Sequence, residues 1–249
     1  VETAFVAVPS PDAALALFSR VMGSGAEVIA FELLIGVCMD IVQKNGNGIR
    51  IPLPLGSPWY VMVELAAAHP SVPLRAMLED TLAAAAEAGG VLDASIADTE
   101  AQRANIWRIR EDWPDCARRE CPAINTDTSV PVSAVPEFCA RVEAALAARW
   151  PEGRLFALGH AGDGNIHVSL GAPPGVERAA WNARAGEAEA IVNAIAVDLG
   201  GSFSAEHGIG QSKRHAMATH KDPVALDLMR AVKAAIDPHG LMNPGKMLP

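Results

Sequence analysis

A chain of 249 residues, half of them hydrophobic and a fifth charged, has the balance of a globular protein and enough length for one large domain or two small ones. Its net charge of -9 excludes a general nucleic-acid binder, because phosphate contacts need a basic surface, and requires any anionic ligand to be drawn in by a local cluster of cations. The most apolar stretch, 28–42, is interrupted by Glu32 and Asp40 and is too short to span a bilayer, and Cys38, Cys116, Cys121 and Cys139 lack CxxC spacing, as expected of reduced cytoplasmic thiols.

The chain opens directly on a strand, TAFVAV, with no basic-then-apolar leader, which reads as a start at a domain boundary. Pro11 begins a helix capped by Ser10. EVIAFELL and WYVMVELAA are strands separated by an apolar segment and a Pro/Gly-rich connection. A helix over 72–88 ends at Gly89-Gly90 and leads into a fourth strand, VLDASIA.

After a helix over 98–113 the pattern repeats. TDTSVPVS is strand-like, 135–148 is helical, RLFALGHAG and NIHVSLG are strands around a tight turn, 177–199 is a long helix closed by Gly200-Gly201, and SFSA is a short last strand. Both passes read β-α-β-β-α-β. They predict an α+β fold of tandem ferredoxin-like (split βαβ) units, about 1–97 and 125–206, forming one extended antiparallel sheet with helices on one face. The two units make a substrate domain over 1–221. A helix over 222–236 and an irregular tail follow, and Leu241, Met242, Met247 and Leu248 make that tail too apolar to be a free linker.

The segment GHAGDGNIH carries the chemistry. With Asp163-Gly164 as a two-residue type I′ turn, His160 falls opposite His167, so that two imidazoles on one sheet face can close on a metal ion. FSAEHGIG supplies Glu206 and His207 at a strand end before a glycine loop. A His, His, Glu set with open positions is the pattern of a catalytic metal site; structural zinc sites are closed and thiolate-rich.

GHAGDGNIHVSL, SAEHGIGQSK, IWRIRED, TDTSVPVS and the terminal MRAVKAAIDPHGLMNPGKMLP together resemble the C-terminal half of FAD-linked oxidases and dehydrogenases of the vanillyl-alcohol-oxidase type, which include the D-lactate, glycolate and D-2-hydroxyglutarate dehydrogenases. The resemblance implies a flavin-dependent 2-hydroxyacid dehydrogenase whose FAD is held mainly by a separate N-terminal domain. It implies a divalent metal, usually zinc, on His160, His167 and Glu206, His207 as catalytic base, and Arg110 on the substrate carboxylate. It also implies an electron acceptor, which could bring the protein to a membrane periphery, a homodimer, and Asn243 and Lys246 near the flavin domain. Asn125 and Ser169 fall at substrate-contacting positions. Pro114 and Asn125 replace a hydroxyl and a lysine of hydroxyglutarate-type relatives, and Ser169 an asparagine; the first two changes favour a monocarboxylate such as D-lactate, or another 2-hydroxyacid with a different tail. Two other readings stay open: a flavin-free metal-dependent hydrolase on the same His, His, Glu set, and a non-enzymatic small-molecule-binding module.

Overall fold

The computed structural model describes every residue, 1–249. The first unit comprises β1 (Glu2–Val8), α1 (Pro11–Gly23), β2 (Glu27–Ile35), an inserted α2 (Val37–Asn45), β3 (Trp59–Ala66), α3 (Leu74–Glu87) and β4 (Asp93–Ile96). Helices α4 (Glu100–Glu111) and α5 (Trp113–Glu120) lead into the second unit: β5 (Ala123–Ser129), α6 (Val135–Arg149), β6 (Arg154–His160), β7 (Asn165–Gly171), α7 (Arg178–Asn182) and α8 (Ala185–Asp198). Two further helices, α9 (Arg214–His220) and α10 (Pro223–Ile236), precede the tail.

All seven strands lie in one antiparallel sheet of order β4-β1-β3-β2-β6-β7-β5. Each unit keeps the strand order of a split βαβ motif, and the two join along β2 and β6, where Leu34 pairs with Leu158 and Glu32 with His160. The last strand of the second unit is reduced to a single bridge between Ser129 and Ser202. Phe203 leaves the sheet there to pack with Ala216, Met217 and Leu226.

Period-two alternation divides the core. Ala4, Val6, Val8, Val61, Val63, Val168 and Leu170 meet the repeat helices α1, α3, α6 and α8 on the face expected to carry them. Their neighbours Phe5, Ala7, Tyr60, Met62, Phe156 and Leu158 point the other way, against Met39 of α2, Ile106 and Ile109 of α4, and Trp113 and Cys116 of α5. The inserted and linking helices therefore add a second layer, which covers the first unit and reaches β6. Over β7 and β5 the same face is left to polar side chains, and the candidate site lies there.

Local sequence explains the breaks. The helix expected over 98–113 starts on a Thr99–Gln102 capping box and stops at Glu111, and Pro114 opens a new helix in its first turn. The helix expected over 177–199 is two helices; Trp181, near the end of the first, is fully buried and donates from Nε1 to the Leu170 carbonyl at 2.8 Å. Helix α4 is held in rotation by Glu64, buried on β3, which accepts from Arg103 at 2.7 and 2.9 Å and from Trp107 Nε1 at 2.8 Å. Arg103, Trp107 and Arg110 follow at helical spacing, so the contact that fixes the first two also aims the third at the sheet. Burial alone would raise the Glu64 carboxyl; the bonds from Arg103, Thr3 and Trp107 outweigh it and keep it below its ordinary value.

The tail is tied back where Met247 N donates to the Gly210 carbonyl at 2.7 Å and Arg214 Nε to the Leu248 carbonyl at 2.8 Å. The outer face of α10 leaves Val224, Leu228, Val232 and Ile236 exposed. No helix is long and apolar enough to cross a membrane.

Candidate active site

The hairpin that carries the two histidines departs from the expected register. His160 pairs with Asn165 and Leu158 with His167, so the connection is a four-residue loop, Ala161 to Gly164, and not an Asp163-Gly164 type I′ turn. A type I′ turn needs positive φ at both central residues, and only Gly164, at φ 80°, has it. The loop closes differently: Asp163 N donates to the His160 carbonyl at 3.1 Å, and the Asp163 carboxylate accepts from Asn165 N at 3.1 Å. Gly164 also lies against Val130, whose N donates to the Gly164 carbonyl at 3.0 Å; a Cβ on Gly164 would stand 1.9 Å from the Val130 oxygen. The slip is two residues, an even number, so both histidines keep the same face. They become diagonal neighbours with ring centroids 6.0 Å apart.

Glu206 reaches them from the loop after the Ser202 bridge. Its carboxylate oxygens lie 3.2 Å from His160 Nε2 and 3.9 Å from His167 Nε2. One donor atom from each of the three residues falls within 4.8 Å of the others. A second grouping, Asp127, His167 and His207, meets the same criterion. In it, however, one Asp127 oxygen, Oδ2, is already engaged: it accepts from Glu206 N at 3.1 Å, His207 N at 2.9 Å and Lys213 Nζ at 3.2 Å. Asp127 therefore acts as the clamp that holds the loop of Glu206 and His207 over β5. Burial pushes its carboxyl up, and the His207 N–H and the Lys213 charge more than reverse that.

Glu32 completes the set. It is 3% exposed, and its two oxygens divide between His160 Nδ1 at 2.5 Å and Arg110 Nε at 2.8 Å. Burial opposes the charged carboxylate, but the bond from His160 and the charge of Arg110 hold it below its usual range. The same bond raises the His160 imidazole, whereas burial and the Arg110 charge lower His167. With Nδ1–H given to Glu32, His160 keeps Nε2 as the acceptor, 3.4 Å from Arg110 Nη2 and 3.2 Å from a Glu206 oxygen, and the carboxylate behind the ring is the arrangement that orients a metal ligand. Asn165, in the same cross-strand row as His160, is 4% exposed and has neither carboxamide atom paired. Such a group costs about 1–3 kcal/mol unless something meets it. The donor chemistry and this orphaned amide fit a divalent ion with a bound ligand.

These residues border a cavity of about 480 Å³ lined by Arg110, His167, Glu206 and His207 at one end, with Asn125 and Ser169 in its floor. Ser169 Oγ donates to the Asn125 carboxamide oxygen at 2.7 Å. The His207 ring stacks on His167, centroids 5.7 Å apart, and is largely open to solvent. The structure thus assembles Arg110, Asn125, His160, His167, Ser169, Glu206 and His207. Asn243 and Lys246 sit in the tail and do not line the cavity. Sequence reasoning missed Glu32, Asp127 and Lys213. For the two acids the available signal was a carboxylate in the interior of an otherwise apolar or neutral strand, Glu32 in EVIAFELL and Asp127 in AINTDTS, since a buried charge demands a partner.

The chain is thus an α+β domain: a single antiparallel sheet of two split βαβ units, with a His, His, Glu set and an arginine over one open face. The chain belongs to the family of C-terminal domains of FAD-linked oxidases, whose pattern matches residues 1–247. It is 32% identical over 242 residues to the D-2-hydroxyglutarate dehydrogenase of Xanthomonas citri pv. viticola, covering 97% of this chain and 50% of that protein. It is also 32% identical over 254 residues to the mitochondrial D-2-hydroxyglutarate dehydrogenase of Rattus norvegicus, covering 100% of this chain and 45% of the relative. The chain therefore spans about half the length of the relatives it matches. Among solved structures, an alkyldihydroxyacetonephosphate synthase has the same fold over 99% of this chain and 44% of its own, at a TM-score of 0.59 and 14% identity.

Proposed function

We propose that this chain is the substrate- and metal-binding half of a flavin-dependent D-2-hydroxyacid dehydrogenase, which oxidises its substrate to the 2-oxoacid with FAD held mainly by a partner N-terminal domain. The observation that carries this reading is the convergence of Arg110, His167, Glu206 and His207 at one end of one cavity, with His160 close enough behind Glu206 and His167 to share an ion with them. Likeness to two D-2-hydroxyglutarate dehydrogenases supports it.

Glu32 occupies Arg110 Nε and fixes the plane of the guanidinium, and Nη2 also approaches His160 Nε2 at 3.4 Å, which leaves Nη1 and the second Nη2 hydrogen for the substrate carboxylate. That places the 2-hydroxyl beside the donor set. When bound, a divalent ion, zinc by preference for two imidazoles and a carboxylate, supplies Lewis acidity to that hydroxyl, and FAD supplies the hydride acceptor. His207, stacked on His167 and open to the cavity, takes the hydroxyl proton. Asp127 and Lys213 hold the loop so that Glu206 and His207 enter from one side together. We also place Asn243, Lys246 and the exposed apolar face of α10 toward the flavin domain, and the protein, with four free thiols, in a reducing compartment such as the cytoplasm.

The test is anaerobic mixing of the purified flavoprotein with D- and L-2-hydroxyacids. The reading predicts bleaching of the oxidised flavin by the D-acids and loss of it in His207→Ala. A flavin that stays oxidised with every 2-hydroxyacid contradicts it.

A further inference from the structure

The cavity extends well beyond what the reacting end of a small hydroxyacid fills, and its far end is cationic. Its floor is a ladder of paired residues on β5 and β7: Asp127 with His167, Asn125 with Ser169, Ala123 with Gly171. From His167 to Gly171 this floor runs roughly 13 Å, at the ordinary rise of a strand. Trp113, Pro114, Ala117 and Arg118 of α5 form one wall. Beyond Gly171 the slot is closed by Arg178 at the start of α7. That helix is fixed in place because Trp181, one turn later, is buried and bonded to the Leu170 carbonyl.

The two far-end arginines differ from Arg110 in how they are satisfied. Arg110 is bound to the buried Glu32. Arg118 rests only on Asp115 of its own helix, a solvent-exposed pair of little worth. Arg178 makes no ion pair, although it borders the cavity. The middle of the slot is neutral: Asn125 engages Ser169, and Pro114 offers no donor. The missing hydroxyl and lysine, which favoured a monocarboxylate, thus leave the middle of the slot without a cation while its end keeps two.

We propose that Arg178, with Arg118 lining the same cavity from α5, receives a second anionic group at the end of the substrate's tail, and that the substrate is a 2-hydroxyacid longer than 2-hydroxyglutarate. A carboxylate and a phosphate share this chemistry, since a guanidinium binds either through paired N–H groups. The inference rests on the dehydrogenase reading and deepens it.

The experiment compares kcat/KM of the full flavoprotein for D-lactate, D-2-hydroxyoctanoate, D-2-hydroxyoctanedioate and a phosphate-ended acid of the same length. The two anionic tails bracket the terminal group, and the better of them identifies it. That substrate should exceed the neutral-tailed octanoate by about tenfold or more, the worth of one hydrogen-bonded charge. In Arg178→Glu the ratio should collapse or invert, and in Arg178→Lys it should be largely kept. Because each protein is compared with itself, a variant that folds poorly lowers both substrates and leaves the ratio readable. Equal efficiency for charged and neutral tails, or an unchanged ratio in both Arg178→Glu and Arg118→Glu, overturns the far-end site while D-lactate turnover upholds the dehydrogenase. Failure of every D-2-hydroxyacid to reduce the flavin overturns both.

Discussion

At single positions, the decisive feature is a carboxylate that never touches substrate. Glu32 lies in β2 and joins His160, the proposed metal donor, to Arg110, the proposed carboxylate binder. It sets the tautomer of one and the plane of the other, so in the proposed function the carboxylate and the 2-hydroxyl of a hydroxyacid meet groups mounted on one support. Glu32→Gln keeps the shape and removes the charge. The account predicts zinc binding weakened about 10–100-fold, with a higher KM, the usual scale for losing a carboxylate behind a histidine ligand. Calorimetric titration with zinc checks this; unchanged affinity would show that His160 needs no such support. The first-contact residues were legible in the sequence because His160, His167, Glu206 and His207 stand in two short glycine-bounded motifs. Glu32 and Asp127 were not, because their partners lie up to 128 positions away and only the sheet brings them together.

The parity of the hairpin decides whether a metal site exists at all. The expected turn was wrong by two residues, yet the histidines still share a face, because side chains alternate with period two and an even slip preserves the side. What the sequence could not supply was the contact of Gly164 with Val130 that selects the longer loop. The same applies to α5, whose placement depends on Glu120. Its carboxylate binds Lys44 and Asn45 of α2 and Arg154 of β6, and these bonds draw it down from 4.5 to about 2. A lowered folded-state value gives stability that is complete above the unfolded pKa and disappears as pH falls through the folded one. With solvent screening of the outer partners, Glu120→Gln should cost about 1–2 kcal/mol at pH 7. The difference in urea midpoint between the two proteins should then narrow as pH drops from about 4.5 toward 2. A gap that holds constant across that range would assign Glu120 no electrostatic part in docking α5.

For the molecule as a whole, two copies of one motif meet edge to edge and are then covered unequally. Helices α2, α4 and α5 close the outer face of the first unit, whereas the outer face of the second is left open and borders the cavity. The repeat was readable from hydrophobic periodicity alone, down to helix positions within two or three residues. The unequal cover was not, since α2 lies in a stretch whose apolar run suits either a strand or a helix. The short α9 carries no strong periodic signal. Opening of one sheet face is what allows hairpin and loop donors to gather around a single point in reach of an anionic substrate.

That gathering can be measured directly by elemental analysis of the purified protein beside its His160→Ala and His167→Ala variants. The account predicts about one divalent ion per chain, lost in both variants, while circular dichroism stays that of the folded protein. Full metal content in either variant, or none in the parent after incubation with zinc, would contradict it.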